Sequence, residues 1–242
     1  MTCCSEIYFQ IVKKLKSEPM ENDGILLEFD NYVTTLEACK DAHQYKRMIS
    51  VIGEPGYGKS TALETYLNEY SDCVVYIDAQ ITMNAKLFYS SIYNEISGES
   101  YDPTMPLYFI IRRAANKFNE DSKNKLLIID EAGKFSPKML EYLHEFRDLT
   151  KSTTGIILAG PKYFEEYVIK WNKKMLRGIP EVYSRISVWI ALKPPTEEET
   201  VTMIRAYGIN DKEFEKYVIK TKHDFRAIKN AIDNYLRLKK KE

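Results

Sequence analysis

A three-layer α/β fold is predicted by three observations. Short apolar runs alternate with helical stretches, a glycine-rich turn joins the first of these runs to a helix, and two prolines near residue 194 separate the alternation from a purely helical end. At 242 residues and 44% hydrophobic, the chain can bury one large core, alone or with a small appendage. Charged residues make up 29% and balance to a formal zero, so any nucleic-acid role has to rest on local basic patches.

From Ser5 to Lys16, Ile7, Tyr8, Ile11, Val12 and Leu15 recur at helical spacing, and Glu18-Pro19 closes this short amphipathic arm, which we place within residues 1–30. Asn22-Asp23-Gly24 signals a turn. Thr34 or Thr35 can cap a helix running to about Arg47, with Leu36, Cys39, His43 and Met48 near one face. His43 there reads as a half-buried packing residue, because no second metal-type side chain stands at i+4. The core, residues 31–192, has its first strand at Met48 to Ile52.

Gly53-Glu54-Pro55-Gly56-Tyr57-Gly58-Lys59-Ser60 follows, and it matches the phosphate-loop pattern G-x-x-x-x-G-K-[ST] at every fixed position, with a strand before it and a helix, Thr61 to Tyr70, after it. Its glycines let backbone N–H groups turn towards phosphate oxygens, and the helix N-terminus adds favourable partial charge. Lys59 would reach the β- and γ-phosphates of ATP, Ser60 would ligate Mg²⁺, and Thr61 completes the binding stretch.

Cys73 to Asp78 reads as a buried parallel strand, Asn84 to Ile96 and Leu107 to Phe118 as helices. Lys125 to Ile129 then delivers Asp130-Glu131 to the C-terminal edge of a central strand, where ligands bind in open α/β sheets. About 70 residues beyond a complete phosphate loop, these acids gain specific roles: Asp130 holds Mg²⁺, and Glu131 orients and deprotonates the attacking water. Ser136-Pro137 opens a helix to about Thr150, on which His144 is expected to be exposed. A fourth strand, Gly155 to Gly160, precedes a helix from Lys162 to Lys174, and Ile186 to Ile190 supplies the fifth strand. Pro194-Pro195 then ends the sheet layer, and Thr196 caps the first of three helices, Glu197 to Tyr207, Asp211 to Lys220 and Asp224 to Leu238. Residues 193–242 form a helical lid with a basic tail, too short for a robust independent domain and expected to pack on the core's edge.

Cys3, Cys4, Cys39 and Cys73 stand at no zinc or disulfide spacing, so free thiols are expected. With no signal-peptide order and no apolar run long enough to span a bilayer, the sequence predicts a cytoplasmic protein without membrane contact.

The order of phosphate loop, Asp130-Glu131 strand, arginine-bearing segment and helical lid resembles the AAA+ ATPases over the chain from about residue 34 onward. That resemblance implies a P-loop NTPase core with a parallel five-stranded sheet, the loop beside the Asp-Glu strand, and nucleotide held between core and lid at a subunit interface. Pro180 to Ile186 looks like the segment presenting an arginine finger to a neighbour's γ-phosphate, which makes Arg185 the candidate and Arg177 the reserve. His223 to Ile232 is similar to the lid helix whose arginine senses γ-phosphate, here Arg226. A departure stands after the fourth strand: where many AAA+ proteins carry a polar water-positioning residue, this chain has Ala159-Gly160-Pro161-Lys162. Either Lys162 substitutes or the sensor is absent, and hydrolysis would then be slow.

Within the class, Met48 to Ser60, Leu143 to Thr150 and Gly155 to Gly160 resemble the target-selecting ATPases of DNA transposition, of the phage Mu B type. The resemblance implies homo-oligomers, ring or helical filament, assembling on double-stranded DNA with ATP and engaging a transposase. The alternative is a helicase loader or signalling switch whose output is protein binding with little turnover. Lys170, Lys173, Lys174 and Arg177, and the C-terminal Arg226, Lys229, Arg237 and Lys239 to Lys241, supply local basic clusters. Lys86, Arg112 and Arg113 serve either as a solvated face or as groups facing an assembly's axis.

Overall fold

The structure, a computed structural model, describes residues 27–100, 102, 104–120 and 123–239. The amphipathic arm, the Asn22 turn, Cys3, Cys4, Lys240 and Lys241 lie outside the described residues. Two compact units are present, one spanning Asp30–Pro194 and the other holding the C-terminal helices.

The larger unit is organised around five strands, β1 (Met48–Ile52), β2 (Val74–Asp78), β3 (Lys125–Asp130), β4 (Thr154–Gly160) and β5 (Ile186–Ala191), in the order β2-β3-β4-β1-β5. All four pairings are parallel. β1, β3 and β4 are buried along their whole length, which is why they read as unbroken apolar runs. Their side chains divide by the two-residue period of a strand. Met48, Ile52, Leu127, Ile129, Ile156 and Leu158 face one cluster, while Ile49, Val51, Leu126, Ile128, Ile157 and Ala159 face the other.

Helices α1 (Asp30–Tyr45) and α2 (Lys59–Glu69) cover the second face through Ala38, Cys39, Ala42, Leu63 and Tyr66. The first face is covered by α3 (Ala85–Ser97), α4 (Leu107–Asn119), α5 (Pro137–Thr150), α6 (Lys162–Lys173) and α7 (Ile179–Arg185). Local chemistry sets the boundaries. Asn84 caps α3 by accepting from the Leu87 amide, and Gly98, at φ 68°, ends it in the left-handed region. Ser136 caps α5, with Pro137 in its first turn.

α1 begins at Asp30, ahead of the expected Thr34 or Thr35. Thr35 is buried inside the helix with its hydroxyl donating to the Asn31 carbonyl, so it cannot act as a cap. His43 is half-buried and bonded, its Nδ1 to the Tyr66 hydroxyl at 3.0 Å and its Nε2 to the Asn124 carbonyl at 2.9 Å. His144, expected to be exposed, is also half-buried, its Nε2 3.3 Å from Asp148 one turn on but without a hydrogen bond to it. Cys39 and Cys73 are free thiols, and burial pushes the Cys39 thiol up to about 12.

The smaller unit contains α8 (Glu197–Ala206), α9 (Lys212–Thr221) and α10 (Phe225–Lys239). A reciprocal capping box between Thr196 and Glu199 starts α8, and Asp211 caps α9. These helices have a core of their own, Met203, Ile204, Ile209, Val218, Ile228 and Ile232, completed from the other side of the chain by Leu27 and by Phe29 stacked on Phe225 at 5.0 Å. Among the described residues no helix is long and apolar enough to cross a membrane.

Gly155 shows how closely α1 is applied to β4. A Cβ there would lie 2.0 Å from the Ala42 carbonyl oxygen, a backbone atom that cannot swing away. Gly155→Ala should therefore destabilise the larger unit by about 3 kcal/mol, read as a lower urea midpoint with an unchanged denaturant slope.

Candidate functional site

The glycine-rich turn leaves the C-terminal end of β1 and enters α2 directly. Gly56 and Gly58 both have φ 86°, a left-handed backbone that strains any other residue. Gly58 sits at the N-cap of α2 and supplies no side-chain cap. The first amides of α2 and its positive dipole end thus face the turn without a competing side-chain oxygen, the arrangement that binds phosphate. Gly53 is needed for close packing, since a Cβ there would come within 3.0 Å of Leu192 Cβ. Glu54, Pro55, Ser60 and Thr61 are exposed, Tyr57 is half-buried, and Lys59 is buried with its Nζ donating to the Gly53 carbonyl at 2.6 Å and the Glu54 carbonyl at 3.2 Å.

Asp130 closes the site from the end of β3. The strand entering the loop is not adjacent to the acid strand, because β4 runs between them. Ser60 nevertheless reaches across, its Oγ donating to Asp130 Oδ2 at 2.7 Å. Convergence of a hydroxyl and a carboxylate oxygen on one point provides the hard donors that Mg²⁺ takes alongside a substrate phosphate, so the residues present fit that ion. Glu131 follows in the left-handed region at φ 55° and ψ 34°, uncommon for a non-glycine residue and a conformation that redirects its side chain out of the strand's alternation. Its amide donates to Asp130 Oδ1 at 2.8 Å, which fixes the pair relative to each other.

Several contributors carry no sequence signature. Tyr76 on the neighbouring β2 donates to Asp130 Oδ2 at 2.9 Å, and its phenol is raised by burial first and by the Asp130 charge second. Lys134 lies 3.9 Å from both Glu131 and Asp78. Asn31 donates to the Tyr57 carbonyl at 3.2 Å and the Lys193 carbonyl at 2.7 Å, tying the loop to the chain that leaves β5. The residue after β4 is the buried Pro161, packed against Gly133 just beyond the acid pair, while Lys162 is exposed. Tyr163 occupies this corner instead, its ring edge 3.1 Å from where a Gly133 Cβ would stand. Its phenol is raised by partial burial and then by the charges of Glu131 and Glu54, which places it in the field of both sides of the site. An aromatic three residues past a strand end could have been noticed in the sequence, but only strand order shows what it faces.

The arginines lie elsewhere. Arg185 ends α7 at the N-terminal edge of β5, where Ile186 pairs with Met48, the first residue of β1. The loop leaves the other end of β1, a strand length of about 16 Å away. Arg185 thus cannot serve the loop of its own chain. Arg177 is exposed and pairs with Glu141 at 3.0 Å. Arg226 is exposed in the first turn of α10 and belongs to the smaller unit.

Comparison with known proteins places this geometry. No curated protein matches the chain. Among solved structures, the ORC1 protein of Aeropyrum pernix in complex with DNA is 12% identical with a TM-score of 0.63, covering 87% of this chain and 59% of that one. The ORC2 protein of the same organism, in its ADPNP and ADP complexes, is 14% identical with a TM-score of 0.64, covering 91% and 64%. A Walker-type ATPase of Pyrococcus abyssi is 17% identical with a TM-score of 0.62, covering 92% and 71%. The chain therefore shares their α/β phosphate-loop fold while spanning less than two thirds of either ORC protein. The family model described as AAA domain matches residues 42–168, a span of more than half the chain that contains β1, the glycine-rich turn and the acid pair at Asp130-Glu131. This chain belongs to the AAA domain family of phosphate-loop ATPases.

Proposed function

We propose that this protein is a DNA-binding AAA+ ATPase whose copies assemble on double-stranded DNA with ATP and come apart as ATP is hydrolysed. The single observation that carries the reading is the meeting of Ser60 and Asp130 at 2.7 Å beneath an uncapped helix N-terminus, with Glu131 beside them. The loop amides and Lys59 bind and orient the triphosphate. Mg²⁺, when bound, neutralises developing phosphate charge, with Ser60 and Asp130 as its protein donors. Glu131 takes a proton from water as the water oxygen bonds to the γ-phosphorus and the bond to the ADP oxygen breaks. Pro161 offers no donor to that water, which supports slow turnover until an assembly completes the site.

Arg185 suits action in trans, since the strand geometry keeps it from its own loop. DNA binding is supported by an exposed patch on α4. Tyr108 and Phe109 are exposed in the first turn of α4, the Arg112 guanidinium lies 4.8 Å from the centre of the Tyr108 ring, and Arg113 is exposed beside them. Cations arrayed around aromatic faces suit phosphate contact and base-edge packing together. Two structures sharing the fold, those of Aeropyrum pernix ORC1 and Drosophila ORC, contain DNA. A transposase partner and target selection extend this reading on the sequence resemblance alone. A protein-directed switch with little turnover is the second reading, favoured by Pro161.

Duplex DNA should raise the ATPase rate, less so as salt increases; no stimulation and no co-sedimentation with DNA would leave only the switch. Lys59→Ala should weaken nucleotide binding roughly 10- to 100-fold, measured with a fluorescent ADP analogue. Glu131→Gln should cut turnover by about 100-fold or more while ATP still binds, and should give long-lived assemblies by sedimentation. Arg112→Ala and Arg113→Ala should each weaken DNA binding and reduce the slope of log affinity against log salt by about one.

A further inference from the structure

α5 runs alongside both arginines of the proposed assembly surface, and its acids are spaced to meet them. Glu141 pairs with Arg177, and Asp148, seven residues or two turns on, meets Arg185. The Arg185 Nε and Nη2 lie 3.3 and 3.2 Å from a single oxygen, Asp148 Oδ1. The other oxygen, Oδ2, is 3.3 Å from His144 Nε2 one turn earlier on the same helix. Asp148 is thereby engaged by the guanidinium through one oxygen, while the other stands near His144 without a hydrogen bond to it.

The backbone around Arg185 is fixed by burial. Val182, one turn before it, and Ile186, directly after it, both sit in the same core cluster as Leu140, Leu143 and Phe146 of α5. What remains undetermined by the fold is the long arginine side chain, which is about half exposed. A surface ion pair of this kind adds little to stability. Its contribution is to restrict the rotamers of a side chain that otherwise has many.

Guanidinium geometry decides which donors this leaves. Five N–H groups lie in one plane, and a carboxylate on the Nε and Nη2 side engages one edge. The Nη1 pair and the second Nη2 proton point away, and a fork of that kind matches two oxygens of a phosphate. Arg147, adjacent in sequence to Asp148, does not compete for it: its guanidinium turns inward to the Thr154 and Lys46 carbonyls.

We propose that Asp148 is the positioning residue for Arg185, holding one edge of its guanidinium so that the opposite edge is presented to the γ-phosphate bound by a second copy of this chain. This rests on the reading of Arg185 as a group acting in trans. Asp148 touches no reacting atom; it acts through the arginine.

A mixing experiment tests it. Arg185→Ala protein keeps a working pocket and lacks the arginine, whereas Lys59→Ala protein, with a weakened pocket left unfilled at limiting ATP, keeps the arginine. Mixed with limiting ATP and duplex DNA, the two should show turnover well above the sum of their separate rates. Placing Asp148→Ala on the Lys59→Ala partner should then lower the restored rate roughly 10- to 100-fold. The same change on the Arg185→Ala partner should leave it unaltered, and Asp148→Glu should retain part of the rate. The thermal midpoint and ADP-analogue affinity of Asp148→Ala should match wild type. If mixing restores nothing, the trans reading falls and the positioning role falls with it. If mixing restores turnover but Asp148→Ala has no effect, lowers the rate equally on either partner, or raises it, the trans reading stands and the positioning role is overturned.

Discussion

The hydrogen bond from Ser60 to Asp130 is the contact on which the rest of the structure depends. Its two residues come from elements separated by 70 positions and by an intervening strand. They meet because three parallel strands end at the same edge in register, Ile52 beside Gly160 and Ile129 beside Leu158. The sheet's two faces are sealed by separate apolar clusters, so the register cannot slip by one residue without turning every core side chain to the wrong face. A packing constraint thus becomes a positional one, and the loop can wrap over the end of β4 to bring a hydroxyl against a carboxylate.

The same strand direction separates the chemistry into two halves. The glycine-rich turn, Lys59, Ser60 and Asp130 stand at the C-terminal edge of the sheet, whereas Arg185 stands at the N-terminal edge, where α7 turns into β5. A single copy therefore carries a pocket and an arginine that cannot meet. Two copies arranged head to tail would bring them together, and a head-to-tail contact closes into a ring or continues as a helix. Nucleotide occupancy would then be read at the contact between copies, which links hydrolysis to assembly without requiring any large change within one chain.

Much of this was legible in the sequence, and the residues show why. The loop from Gly53 to Ser60 and the pair Asp130-Glu131 announce themselves because backbone conformation and metal chemistry demand particular residue types at fixed spacing. Five apolar runs give five strands; β1, β3 and β4 are buried on both faces and so need continuous apolar sequence, while β5, largely exposed, is apolar all the same. Strand order left no such trace, and with it went Tyr76, Tyr163 and Lys134, whose relevance comes only from what lies across the sheet edge. Asn31 was equally silent, as its three hydrogen bonds to Tyr57 and Lys193 close a loop over distances no local pattern encodes. The start of α1 was misplaced because Thr35 looks like a cap but spends its hydroxyl inside the helix. The C-terminal helices share an apolar cluster of their own, in which Leu27 and Phe29 from far earlier in the chain take part, a pairing no local pattern signals.

The central claim is that a complete hydrolytic site requires two copies of this chain. Specific ATPase activity measured against protein concentration, at saturating ATP and with duplex DNA in excess, tests it most directly. The account predicts that turnover per subunit rises steeply with concentration and then levels off as assembly saturates. Turnover per subunit that is constant from the most dilute sample upward would mean that one chain suffices, and would contradict it.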